Sequence, residues 1–162
     1  MAIVAPTELD LVRLVYREAR LIDEKRFDEW YELFADDAYY WVPLTPDQPD
    51  GLNHTSLAWE DKLLLKLRIE RLKNPRSYSQ HPASRCIHVL QQPDIDAADA
   101  AISRWVTRTQ FIYLESRGDD QQTYGGHVVH TFVWREGALR ILLKRVNLIN
   151  CDAALPSIQM FL

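Results

Sequence analysis

Glycine is scarce in this chain, five residues among 162, of which only Gly125 and Gly126 are adjacent. That scarcity excludes the glycine-rich phosphate cradles: the sequence contains no G-x-G-x-x-G, no G-x-x-x-x-G-K-[ST] and no G-x-S-x-G. Cysteine is scarcer still. Cys86 and Cys151 stand far apart and make no disulfide framework, so a reducing cytoplasm is the expected setting. No apolar run approaches the roughly 18 residues of a membrane span. The first seven residues lack a basic segment and lead straight into an amphipathic pattern, unlike a secretory leader. Excess positive charge is lacking too. Nineteen Lys and Arg against 23 Asp and Glu leave a net −4, which argues against a general nucleic-acid binder.

What is present is an ordinary globular composition, 47% hydrophobic and 26% charged. One domain over residues 1–162 is expected, and a chain of this size buries roughly 70% of the surface its unfolded form exposes. Thr7, with Asp10 three residues on, reads as a helix start. Leu9, Val12, Tyr16 and Ala19 then recur at helical spacing, as do Leu11, Val15 and Ile22. After a break at 23–26, Trp30, Leu33 and Phe34 share one face of a second helix that Asp36-Asp37 should stop. Ala38–Leu44 reads as a strand and 45–55 as a polar loop. Ser56 is a candidate cap for a long helix over 57–73, striped by Leu65, Ile69 and Leu72.

Everything later reads as strand: 84–91, 101–117 closed by Gly118-Asp119-Asp120, 123–135, a Glu136-Gly137 turn, and 139–150. The last three predict an antiparallel meander. Helices first and strands last mean an α+β fold, and long bent strands under helices predict a cone-shaped half barrel with an interior.

Four groups of residues invite chemistry. Cys86-Ile87-His88 is half of a Rieske ligand set, but Cys151 has no histidine at the needed spacing, so two strand residues are the better account. His127 and His130, three apart on a strand, face opposite sides, and no carboxylate completes a metal site. One should face the cone and the other solvent or a partner. Lys62, Lys66, Arg68, Arg71, Lys73 and Arg76 are interleaved with Glu60, Asp61 and Glu70, the pattern of a solvated or partner-facing helix side. Tyr16, Asp36, Tyr40, His88 and His130 are the candidate polar residues of the cavity or core, where desolvation could tune an acid–base pair.

The run Tyr16–Glu24, then Phe27-Asp28-Glu29-Trp30, Leu33–Asp37 and Tyr40-Trp41-Val42-Pro43-Leu44 resembles the opening of the small (β) subunits of Rieske-type aromatic-ring-hydroxylating dioxygenases. The similarity continues through Glu60-Asp61, Arg68–Leu72, Ser84–Val89, Lys144–Leu148 and Ile158–Leu162, over essentially the whole chain. It implies a cone-shaped fold like that of nuclear transport factor 2, ketosteroid isomerase and scytalone dehydratase. It implies a non-catalytic structural subunit in aromatic hydrocarbon catabolism, with no catalytic, metal or cofactor-binding residue of its own. The Rieske cluster and mononuclear iron would belong to a large (α) subunit, in a hexamer of three α and three β. Dioxygen and electrons originating from NADH would dihydroxylate the arene. The alternative on the same fold is a stand-alone dehydratase, isomerase or hydrolase, which would show an open pocket with a carboxylate near a histidine.

Assembly needs outward residues. Seventeen aromatic residues (five Trp, seven Tyr, five Phe) and several arginines suit an interface. On the strand over 101–117 the outward set is Arg104, Arg108 and Gln110 or, in the other register, Thr107, Thr109 and Tyr113. Arg104, Arg108 and Tyr113 are therefore candidate assembly residues, as are Phe161 and Leu162. The apolar segment Ile158–Leu162 is expected to dock on the cone or at a subunit boundary.

Overall fold

The computed structural model describes residues 5–77 and 80–162. Helix α1 (Glu8–Asp23) comes first, followed by a short α2 (Phe27–Tyr31). Thr7 begins α1 as expected. Its hydroxyl accepts the Asp10 amide while the Asp10 carboxylate accepts the Thr7 amide, a reciprocal capping box. Of the two apolar stripes, the one through Leu11, Val15 and Ile22 is buried throughout; in the other Ala19 is buried, but Leu9 and Tyr16 are 54% and 42% exposed. Steps of four, three and four also bring Glu18 onto the buried face.

Two boundaries differ from the sequence reading. Helix α2 ends at Tyr31, and Phe34 already opens strand β1 (Phe34–Pro43), so Asp36-Asp37 lie inside a strand. Phe34 is buried opposite Ile141, and the pairing is irregular from there to Tyr39. Both carboxylates are turned out to solvent within that stretch. Ser56, expected as a helix cap, instead starts strand β2 (Ser56–Asp61). Its hydroxyl accepts the Trp41 indole N–H at 3.0 Å and the Gln48 amide at 2.9 Å. Helix α3 (Lys62–Lys73) is capped by Asp61, whose carboxylate accepts the Leu64 amide.

Strands β3 (Arg85–Leu90), β4 (Asp94–Asp99), β5 (Arg104–Arg117), β6 (Asp120–Arg135) and β7 (Ala138–Leu148) complete one curved sheet. Its order is β2-β1-β7-β6-β5-β3, with β4 paired to β5 as well. β5, β6 and β7 form the expected meander, while β1 joins β7 in parallel and makes the sheet mixed. β4 was not legible, because Asp94, Asp96 and Asp99 run against strand propensity; exposed at the edge, they stay solvated there. Glu136 and Gly137 have φ of 52° and 74°, both left-handed, as a tight two-residue hairpin needs. At Gly126 a Cβ would stand 1.9 Å from the Asn147 carbonyl oxygen, so only glycine lets β6 pass β7 at that point.

The register along β5 is decided by burial. Trp105, Thr107, Thr109, Phe111 and Tyr113 face inward beneath the helices, and Arg104, Arg108 and Gln110 face out. Tyr113, a candidate for assembly in the other register, is therefore buried in the chain's own core. One contiguous hydrophobic cluster runs from Leu11 on α1 through the sheet to Leu162.

Candidate functional site

The concave side of the sheet carries a transverse polar row. Thr107 on β5 pairs with His130 on β6, His130 with Lys144 on β7, and Lys144 with Tyr40 on β1. Consecutive partners across a sheet project to the same face, so four side chains meet under α1. Glu18 descends onto them. Its Oε1 accepts from Lys144 Nζ and from the Trp30 indole N–H, each at 2.6 Å, and its Oε2 lies 3.5 Å from His130 Nε2. Glu18, His130 and Lys144 are each at most 2% exposed.

Burial alone would push the Glu18 carboxyl up; the Lys144 ammonium and the His130 ring outweigh it and hold it well below the usual carboxylate range. Burial pulls His130 down, against the opposing pull of Glu18, so the imidazole is neutral at neutral pH. The ion pair thus compensates itself inside the cone. A substrate would need a path to the row; Glu18 is committed to two donors, while the His130 ring nitrogens and the Thr107 hydroxyl are buried without a hydrogen-bond partner.

A second pair lies at the end of α1. His88 Nδ1 is 2.6 Å from Asp23 Oδ1, the His88 amide donates to Asp23 Oδ2 at 3.0 Å, and the Tyr113 ring packs edge-on against the imidazole at 4.9 Å. Cys86 Sγ is 3.7 Å from the same carboxylate. Burial pushes the Cys86 thiol up to about 12, which removes it as a thiolate nucleophile.

Of the sequence candidates, Tyr40, His88 and His130 do face the interior, but they do not form one site. His130 and Tyr40 belong to the row, and His88 to the Asp23 pair. Tyr16 is a surface residue. Asp36 points into solvent with its side chain 94% exposed, its carboxylate 3.3 Å from Lys62. His127 faces outward, half-buried between Gln110 and Asn147, opposite in sense to His130. Phe161 and Leu162, candidates for assembly, are fully buried within their own chain. Sequence reasoning missed Glu18, Lys144 and Asp23. Glu18 carried a signal: it is the one charged position in the stripe of Leu11, Val15 and Ile22. Among the described residues, no three His, Cys, Asp or Glu side chains are placed to hold a metal ion.

The sequence matches the family model described as ring hydroxylating beta subunit over residues 17–153. The chain belongs to that family. It is 29% identical over 147 residues to the small subunit of 2-halobenzoate 1,2-dioxygenase from Burkholderia cepacia, covering 88% of each chain. Among solved structures it resembles the β subunit of benzoate 1,2-dioxygenase from Burkholderia mallei, with TM-score 0.74 and 27% identity over 94% of this chain and 96% of that one. The cone itself is shared more widely. An NTF2-like protein from Novosphingobium aromaticivorans superposes with TM-score 0.61 at 14% identity, covering 89% of this chain and 82% of that one, a likeness of fold alone. As a member of the ring-hydroxylating β subunits, this chain has the α+β cone expected from its sequence.

Proposed function

We propose that the chain, as one domain over residues 1–162, is a non-catalytic structural subunit of a multicomponent aromatic-ring-hydroxylating dioxygenase. It packs against a large oxygenase subunit that carries the Rieske cluster and mononuclear iron, as three α and three β subunits in the cytoplasm. Family membership across most of the chain carries this reading. The interior supports it: the buried carboxylate and histidine that a stand-alone dehydratase, isomerase or hydrolase would need are present in Glu18 and His130, but Lys144 and Trp30 occupy the carboxylate and the helices cover it. No helix among the described residues is long and apolar enough to cross a membrane.

The surface also offers faces for partners. Arg104, Arg108 and Gln110 stand on the outer sheet, with Ile87, Val89 and Ile112 about half exposed beside them. Leu63, Leu64 and Leu67 are exposed on α3. Co-expression with its large subunit tests the proposal. A complex with equal numbers of both chains, iron only in the large one, and ring dihydroxylation only when both are present is the expected result. Turnover by the small chain alone with NADH and a reductase would overturn it.

A further inference from the structure

Phe161 behaves in this fold as a ligand bound in a chamber. Its ring lies 4.3 Å from that of Trp30, and meets the edges or faces of Tyr40 and Phe27 at 5.6 and 5.9 Å in T-shaped geometry. The Arg68 guanidinium caps it, 4.9 Å above the ring centroid. The side chains of Met160, Phe161 and Leu162 are completely enclosed, yet their backbone is hardly held. Among the described residues, no backbone–backbone hydrogen bond involves 156–162, and the Leu162 amide makes one bond to a side chain, to the Tyr40 hydroxyl at 3.1 Å. Such a segment is anchored by side-chain burial and not by a ladder of backbone bonds.

We infer that residues 160–162 are a removable plug, and that the chamber they fill takes a neutral single-ring arene when they withdraw. Three aromatic walls fit one ring, and the cation above it favours an arene over an aliphatic ring of the same size. The ligand's charge follows from the neighbours. Arg68 is paired with Glu60, and Lys144, whose ammonium lies 5.9 Å from the Trp30 and Tyr40 rings, is paired with Glu18. Neither of these two cations is left for a carboxylate, and burying an uncompensated anion is costly. The inference concerns this chain by itself and stands apart from its place in the oxygenase.

Amide exchange in the full-length chain tests it. Toluene at about ten times its dissociation constant for the open chamber should speed exchange at the Leu162 amide roughly tenfold, by mass action on the open state. Exchange at Thr109, in the middle of β5, should not change. The Phe161→Ala variant should bind one toluene per chain, and cyclohexane and benzoate at least tenfold more weakly. Exchange at Leu162 that ignores toluene, or that rises together with Thr109, would overturn the plug. Equal binding of cyclohexane would reduce the chamber to a mere apolar hole, and equal binding of benzoate would overturn the assigned charge. Should Phe161→Ala not fold, the exchange measurement on the unaltered chain decides.

Discussion

Lys144 Nζ and Glu18 Oε1 sit 2.6 Å apart at the centre of the cone, with their side chains 2% and 3% exposed. The pair joins α1 to β7 across most of the sequence, so it orients the first helix on the last strand. Removing one partner leaves the other charged, buried and alone. Lys144→Met is therefore expected to cost about 3–5 kcal/mol, whereas Lys144→Met with Glu18→Leu should restore most of the loss. Denaturant unfolding of the two variants is the check. A single variant within about 1 kcal/mol of the parent would mean that the pair is solvated.

Acid should weaken the fold in two stages. His130 is held below its ordinary 6.5 in the folded state, so between 6.5 and that lowered value the unfolded chain binds the extra proton. Stability then falls as pH drops through this window. Glu18 is likewise depressed from 4.5, and its contribution is complete above 4.5 and lost progressively below it. Unfolding midpoints measured from pH 7.5 to 3 should show both declines, and His130→Leu should flatten the first. A profile unchanged by that substitution would remove His130 from the linkage.

Trp30→Phe keeps most of the ring volume but deletes the N–H that reaches Glu18. A hydrogen bond to a buried charge is at stake, so a loss of about 1.5–3 kcal/mol is expected, and Trp30→Ala should cost about 3–5 kcal/mol. If Phe is as stable as Trp at this position, the indole bond contributes nothing.

Gly126→Ala should destabilise by about 1–3 kcal/mol, because its methyl would press on the Asn147 carbonyl and part β6 from β7. Thermal melts can measure this, with Gly125→Ala as the comparison. The added Cβ at 125 meets nothing closer than 3.8 Å and should be far milder.

Arg108→Glu changes an exposed position on the outer sheet, so its stability should match the parent's within the ±0.5 kcal/mol usual for surface changes. Binding to the large subunit should nevertheless fall if this face meets it. Normal complex formation, followed by light scattering, would assign the contact to another face, such as the leucines of α3.

Deleting residues 157–162 is expected to act on the fold first. Phe161 and Leu162 belong to the chain's own core, so the truncated protein should lose stability before any change in oligomer is read. A shortened chain that melts with the parent would show that the core closes without them.

The sequence by itself determined the class of fold, the meander of β5 to β7, the Thr7 start of α1, the turn at Glu136-Gly137 and the family. These depend on periodicity, capping and turn chemistry within a few residues of one another, and on motifs that keep their order along the chain. Only the tertiary structure decided which stripe of α1 is buried and which register of β5 faces out, because a helix or a strand offers several faces and the choice depends on what packs against it. It also decided that Glu18, His130 and Lys144 meet. The β6–β7 hairpin sets His130 beside Lys144, but Glu18 reaches them only because α1 crosses the concave face, a long-range arrangement no local pattern encodes. The same holds for Phe161, whose apolar character was plain but whose chamber, made by Phe27, Trp30 and Tyr40 under Arg68, exists only once the sheet has curved.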